Sequence, residues 1–320
     1  MCKRINIFYA CLLGFYFAAS VIFGIVIGAT GMDLPYWAQC IVSQAFLLIP
    51  AFAYVIIYRI NIYKCIPYRK IKPLDALLSI LLGYMLIPVV LFINTVTMMF
   101  STNYMNNTVS DLTSYPFVVQ VLLMAVIPPM VEEFIFRGII YHSYRRNGIM
   151  GAAVLSGLLF GVAHLNINQF CYAFVIGIVF ALLVEATGSI WSAVLAHFAF
   201  NTYSITVFKI MSAAGIDVNA VQQQADSVTL SAGEAIVSSV IQLVILGGMA
   251  VGFMLLAILI IKKLAARNGR GEYLEYNMRL GMRPRNGERF FTAPLIVTLV
   301  LAFVYMIYTE LVVFINSFIV

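Results

Sequence analysis

Two adjacent carboxylates and an arginine interrupt an otherwise apolar stretch of the chain, at Glu132, Glu133 and Arg137. A charged side chain at the middle of a membrane helix costs about 2.5 to 3.5 kcal/mol on insertion scales, so these groups need partners inside the protein. Glu133 and Arg137 stand four residues apart, which places them on one helix face with the acid before the base. Glu132 lies about 100° further round the helix and is available for another task. Because Pro129 removes a backbone donor, we expect a kink one turn before the acids.

Three further polar side chains in apolar segments have a similar helical spacing. His164 follows Phe160 by four residues and Asn201 follows His197 by four, so each pair shares a helix face. A single membrane histidine is most simply a packing residue with a hydrogen-bond partner. Here the histidines, the amide and the charged triplet are nearly all the strongly polar groups of their three segments, so we expect them to face one another. Such an enclosed site suits a general base near neutral pH.

The composition is that of a polytopic membrane protein. Of the 320 residues, 63% are hydrophobic and 10% are charged, against about 25% charged in soluble domains. The net charge is +6, but the 19 Lys and Arg residues fall in a few loops rather than along a basic face. We therefore expect membrane lipids, and no nucleic acid, as partners. The five cysteines show no paired spacing, which indicates neither a disulfide framework nor a zinc knuckle.

Nine apolar segments approach the roughly 20 residues that cross a hydrocarbon core. They cover residues 5–30, 36–58, 74–100, 117–144, 149–166, 169–186, 189–208, 234–261 and 293–317. Gly83 and Pro88 are expected to bend the third segment. The sequence therefore predicts an all-α polytopic bundle of eight or nine transmembrane helices, formed as a single membrane domain over residues 1–320.

Basic residues are shared unevenly between the two sides of this bundle. The predicted cytoplasmic loops hold Arg59, Lys64, Arg69, Lys70 and Lys72, then Arg145 and Arg146, then eight basic residues from Lys262 to Arg289. The opposite side holds Lys209 together with Asp33, Asp111, Asp217 and Asp226. The positive-inside rule then places the N-terminus in the cytoplasm.

Two more acids lie within or beside apolar segments. For Glu185, next to the short turn Thr187-Gly188-Ser189, a pairing role at the helix end and a direct part in the site both stay open. Glu310, in the outer half of the last segment, is most simply a polar contact between helices.

These motifs, in this order on successive helices, resemble the CPBP family of intramembrane endopeptidases. The residues that carry the resemblance are Glu132-Glu133-x-x-x-Arg137, Phe160-x-x-x-His164 and His197-x-x-x-Asn201. The family contains the eukaryotic CAAX prenyl proteases of the Ras-converting type and many bacterial relatives. The similarity covers roughly Val119 to Tyr203, so we take residues 117–208 as a catalytic core flanked by helices within 1–115 and 209–320.

The resemblance implies glutamate-type proteolysis without a cofactor. Glu132, with His164, would polarise the attacking water. His197 and Asn201 would donate hydrogen bonds to the oxyanion, and Arg137 would hold the neighbouring acid. Two histidines and a glutamate could also form a zinc site, which stays as the second mechanism because no His-Glu-x-x-His motif is present.

The resemblance also implies a peptide or a lipid-anchored protein as substrate. The competing class is a transporter or scaffold that binds an ion or peptide through the same polar cluster, and bacteriocin immunity is a further alternative. A transporter would more typically show broken helices in repeated halves, and no internal repeat is visible here. Short interhelical turns and the lack of a soluble domain favour an integral protein of a bacterial plasma membrane.

Overall fold

Helices and the turns between them make up all of the described structure. The computed structural model describes residues 2–101, 115–216, 232–282 and 287–316, and within these ranges it contains no β-strand. The predicted all-α class is confirmed. Three acids used for the topology prediction, Asp111, Asp217 and Asp226, lie outside the described residues.

Each of the nine apolar segments is helical. In chain order the helices longer than one turn are α1 (Cys2–Thr30), α2 (Tyr36–Ile57), α3 (Pro73–Met85), α4 (Ile87–Thr97), α5 (Phe117–Asn147), α6 (Ile149–Val162), α7 (Ile167–Thr187), α8 (Ile190–Ala213), α9 (Ala232–Arg267), the short α10 (Gly271–Arg279) and α11 (Ala293–Asn316). A single helical turn, Ile62–Cys65, lies between α2 and α3. The break between α3 and α4 falls where the sequence predicts a bend. Seven candidate membrane spans occur within the described ranges; α6, with only 14 residues, and α8, which contains His197 and Asn201, are not among them.

Helix α5, which carries the two acids, departs from regular α-helical geometry. The stretches Leu122–Val126 and Phe134–Tyr141 are π-helical and lie on either side of the α-helical turns Ile127–Glu133. The first stretch contains Ala125, whose carbonyl group would accept a hydrogen bond from the backbone N–H of residue 129 in an α-helix. Residue 129 is proline, which has no N–H to donate. The irregularity therefore lies where the sequence predicts a kink, and π-helical turns of this kind are frequent at functional sites.

Glycines allow the helices around the acids to approach one another closely. An ideal Cβ on Gly177 of α7 would lie 2.7 Å from the Cα of Gly157 in α6 and 3.2 Å from Nη2 of Arg137. On α3, a Cβ on Gly83 would overlap the carbonyl oxygen of Ala196 in α8. Side chains at these positions would push the helices apart, so Gly177 lets α5, α6 and α7 pack closely and Gly83 lets α3 pack closely on α8.

Large apolar side chains are exposed on the outer faces of the peripheral helices. Examples are Ile25 on α1, Val244 on α9 and Leu301 on α11. Contiguous apolar surface of this kind is rare on soluble monomers, and a bilayer covers it. Together with the candidate spans, it identifies the chain as an integral membrane protein.

Candidate active site

The ion pair predicted between Glu133 and Arg137 is present and fully buried. Arg137 Nη1 donates to Glu133 Oε1 at 2.9 Å. Arg137 Nη2 donates to the carbonyl oxygen of Gly177 at 3.2 Å, an approach that the missing Cβ of Gly177 allows. The guanidinium carbon lies 4.5 Å from the ring centre of Phe160 and 5.5 Å from that of Phe180. Arg137 thus links α5 to both α6 and α7.

His197 of α8 lies between the two glutamates. Its Nδ1 is 2.9 Å from Glu133 Oε1, and its Nε2 is 3.8 Å from Glu132 Oε2. Glu133 pairs with Arg137 as a carboxylate, and an ionised carboxylate only accepts hydrogen bonds, so Nδ1 is the donor. Nε2 is then the ring nitrogen that faces Glu132. Two phenylalanine rings, with centroids 5.3 and 5.8 Å from that of the imidazole, pack against His197.

Glu132 differs from its neighbour in exposure and in partners. Its side chain is 15% exposed, whereas that of Glu133 is completely buried. Among the described residues, no side-chain donor lies within hydrogen-bond distance of Glu132, and His197 Nε2 at 3.8 Å is its nearest charged contact. That separation exceeds a direct hydrogen bond and suits two groups that share a bridging oxygen. Glu132 is therefore the acid that can act on another molecule.

Backbone carbonyl groups hold the other two predicted site residues. His164 Nδ1 is 2.9 Å from the carbonyl oxygen of Phe160, and the two rings meet edge to face at 5.0 Å. Asn201 Nδ2 donates to the carbonyl oxygen of Met124 at 2.9 Å, in the first π-helical stretch of α5. His164 and Glu132 make no direct contact in the part of the chain that the structure describes. The imidazole nearest to Glu132 is thus that of His197 on α8 rather than that of His164, in the turn after α6.

The cluster does not have the arrangement of a metal site. Within the described ranges, no three histidine, cysteine, aspartate or glutamate side chains are grouped so that they could hold a metal ion. His197 has Nδ1 committed to Glu133 and only Nε2 available, beside Glu132. A protein zinc site requires at least three ligands. Whether the active protein holds a metal stays a prediction.

Glu185, the second buried acid of this region, has a pairing role. Arg145 Nη2 donates to Glu185 Oε1 at 2.6 Å and its Nε donates to Oε2 at 3.0 Å. The hydroxyl group of Tyr141 donates to Oε2 at 2.9 Å, and Arg270 binds both Oε1 and the backbone carbonyl oxygen of Glu185. The network joins the ends of α5 and α7 to the start of α10.

A cavity of about 350 Å³ lies beside this network. Its charged lining residues are Arg69, Arg137, Arg145, Glu185 and Arg270. Because the cavity reaches Arg137, it comes within one helical turn of Glu133. Burial, with a smaller effect of Tyr63, raises the pKa of Tyr68 on the cavity wall, so its phenol is neutral and can donate a hydrogen bond.

Known proteins are similar to the segment that contains this cluster. Residues 114–203 match a family described as "Type II CAAX prenyl endopeptidase Rce1-like". Over 86 residues the chain is 29% identical to "Putative membrane peptidase YdiL" of Bacillus subtilis (strain 168), a match that covers 27% of this chain and 35% of that protein. The chain thus matches about a third of that relative's length. No solved structure matches significantly.

Proposed function

We propose that this chain, which belongs to the CPBP family of CAAX-type proteases through residues 114–203, is an intramembrane endopeptidase. Its substrate would be a peptide or a lipid-anchored protein, hydrolysed in a bacterial plasma membrane. The observation that carries the proposal is the difference between two adjacent acids. Glu133 is neutralised by Arg137 and His197, whereas Glu132 keeps solvent access beside His197.

In the proposed mechanism, Glu132 is the general base. It takes a proton from a water molecule as the water oxygen attacks the carbonyl carbon of the scissile bond. The carbonyl electron pair moves to oxygen and forms the oxyanion. The proton then passes to the leaving nitrogen as the C–N bond breaks and the carbonyl re-forms. His164, in the turn that follows α6, is proposed to help orient the water.

His197 and Asn201 are proposed as the donors to the oxyanion. Because His197 Nδ1 already donates to Glu133, the ring can donate from Nε2 only as an imidazolium. The imidazolium form balances the charges of the cluster, because Arg137 and His197 then face the carboxylates of Glu132 and Glu133. The Asn201 amide uses one N–H for the Met124 carbonyl group and has a second N–H for substrate. Losing one such donor typically costs about 10² to 10³ in rate.

Glu132→Gln tests the proposal most directly. The full-length protein in detergent is incubated with a panel of fluorogenic peptides, with and without a prenylated cysteine. Glutamine keeps the shape of the side chain but cannot take the proton, so we expect hydrolysis to be lost while the melting curve stays that of the parent. Glu272→Gln, which changes an exposed acid on α10, is the matched control and should cleave normally.

Two outcomes would contradict the proposal in different ways. Full cleavage by the Glu132→Gln protein would exclude Glu132 as the base. A parent protein that cleaves no peptide but binds one with measurable affinity would favour the transporter, scaffold or immunity alternatives.

A further inference from the structure

A second, smaller cavity lies behind the helix that carries the acids, and we call it the basic cavity. Its volume is about 230 Å³, and its lining includes Arg4, Arg59, Arg146 and His142 but no acidic residue. The three arginines come from α1, the turn after α2 and the end of α5. Helix packing therefore gathers positive charges that are distant in sequence.

Two arginines of the basic cavity, Arg4 and Arg59, differ from the ion-paired arginines of the bundle. Arg137, Arg145 and Arg270 each have a carboxylate partner within 4 Å, and so does Arg267. Arg4 and Arg59, in contrast, have no carboxylate at ion-pair distance among the described residues. The guanidinium carbon of Arg4 lies 4.7 Å from the ring centre of Tyr58, a cation–π contact that leaves its N–H groups available. The cavity is thus built with an excess of positive charge.

The surroundings of the basic cavity indicate the chemistry of its ligand. Its other walls are largely aliphatic, including Val55, Ile66 and Ile139. Several guanidinium groups around one space suit a phosphate group, which accepts paired N–H donors from arginine. Basic pockets between transmembrane helices on the cytoplasmic side bind the headgroups of acidic phospholipids. The three arginines belong to the side that the sequence predicts to be cytoplasmic, at the ends of spanning helices.

We propose that the basic cavity binds a phosphate group, supplied by the headgroup of an acidic phospholipid or by free phosphate. The aliphatic walls accommodate the first methylene groups of the acyl chains of a lipid, and the arginines hold its phosphodiester. The site is separate from the candidate active site, and the inference does not depend on the proposed protease activity. It does border the same helix, because Gly138 and Ile139 of α5 line it directly after Arg137.

Lipid binding by the full-length protein in detergent tests the proposal. Native mass spectrometry measures how much phosphatidylglycerol the protein retains, compared with phosphatidylcholine that has the same acyl chains. Inorganic phosphate is the lipid-free probe, and its binding is measured by the shift in the melting midpoint of the protein. The parent should retain phosphatidylglycerol preferentially. The Arg4→Gln/Arg59→Gln protein should bind it about 30-fold more weakly, because each arginine near an acidic headgroup contributes about one kilocalorie per mole.

A control variant with the same change in net charge distinguishes binding in the basic cavity from non-specific electrostatic attraction of acidic lipids to the protein. Lys262→Gln/Lys263→Gln removes two exposed lysines at the end of α9 and should keep the preference of the parent. If inorganic phosphate raises the melting midpoint of the parent but not that of the Arg4→Gln/Arg59→Gln protein, the phosphate group alone is sufficient for binding in the basic cavity. If only phosphatidylglycerol is bound, the ligand is the lipid headgroup.

The proposal is wrong if the arginine variant keeps the parent's preference, or if the parent shows neither a lipid preference nor a response to phosphate. Should the double variant not fold, Arg59→Gln alone, at an exposed turn, must still weaken phosphatidylglycerol binding several-fold. The Arg4→Lys/Arg59→Lys protein keeps both charges and should retain a preference that the glutamine variant lacks. If the lysine and glutamine variants lose the preference for phosphatidylglycerol equally and both have a lowered melting midpoint, the two arginines have a structural role and the proposal is overturned.

Discussion

Replacing Arg137 by alanine removes the cation at the centre of the candidate site. Arg137 and Glu133 are both fully buried, and removing one partner of a buried ion pair typically costs about 3 to 5 kcal/mol, because the other charge stays behind uncompensated. The variant also loses the contacts of the guanidinium with Phe160 and Phe180, which typically contribute about 2 kcal/mol when desolvated. His197 still contacts Glu133 and offsets part of the loss. We therefore expect a net destabilisation of about 3 to 5 kcal/mol.

The free energy of unfolding of the detergent-solubilised protein, titrated with a denaturing detergent, measures this loss. Arg279→Ala is the matched control, because Arg279 also pairs with an acid four residues away but lies on the surface, 77% exposed, and its removal should change nothing measurable. The Glu133→Gln/Arg137→Met protein lacks both charges. Its free energy of unfolding should fall by less than that of the Arg137→Ala protein, because no charge is left buried without a partner. An Arg137→Ala protein that unfolds like the parent would refute the reasoning, since Glu133 would then be solvated or neutral without its partner.

Two further predictions concern the chemistry of the site. Asn201→Ala should lower kcat with little change in KM in the peptide assay, because the amide is proposed to bind the oxyanion mainly in the transition state; a defect confined to KM would count against this role. The purified, active protein should contain substoichiometric metal and keep its activity after prolonged treatment with a strong chelator. Stoichiometric zinc, with activity lost on chelation and restored by zinc, would replace the glutamate mechanism by the metal alternative while keeping the protease proposal.

The helices and the ion pair could be predicted because each depends on residues close together in sequence. A run of roughly 20 apolar residues is what a bilayer requires of a helix, so all nine segments were recognisable. The Glu133 and Arg137 pair follows from a spacing of four residues on one helix. The glycine and proline in the third segment similarly indicated the break between α3 and α4.

Contacts between helices could not be predicted in the same way. Asp75 is bound by Arg267 at 3.0 Å, and Glu185 by Arg145 and Arg270, yet no spacing relates residues so distant in sequence. The contact of His197 with both glutamates depends on how α8 packs against α5. A regular period of 3.6 residues per turn also cannot describe α5, whose π-helical turns change the direction of every side chain beyond them. The catalytic roles of the six site residues stay predictions.

The π-helical stretch Leu122–Val126 also affects how the sequences of relatives should be aligned. A π-helical turn accommodates about one residue more than an α-helical turn, so it is equivalent to a single-residue insertion within a continuous helix. Such an insertion rotates the residues that follow it, Glu132 and Glu133 among them, by about 100° about the helix axis. A relative whose helix is regular at this point would be one residue shorter. Its alignment therefore requires a one-residue gap inside the membrane helix, where gaps are ordinarily disfavoured, and without it the two glutamates would be matched to the wrong positions.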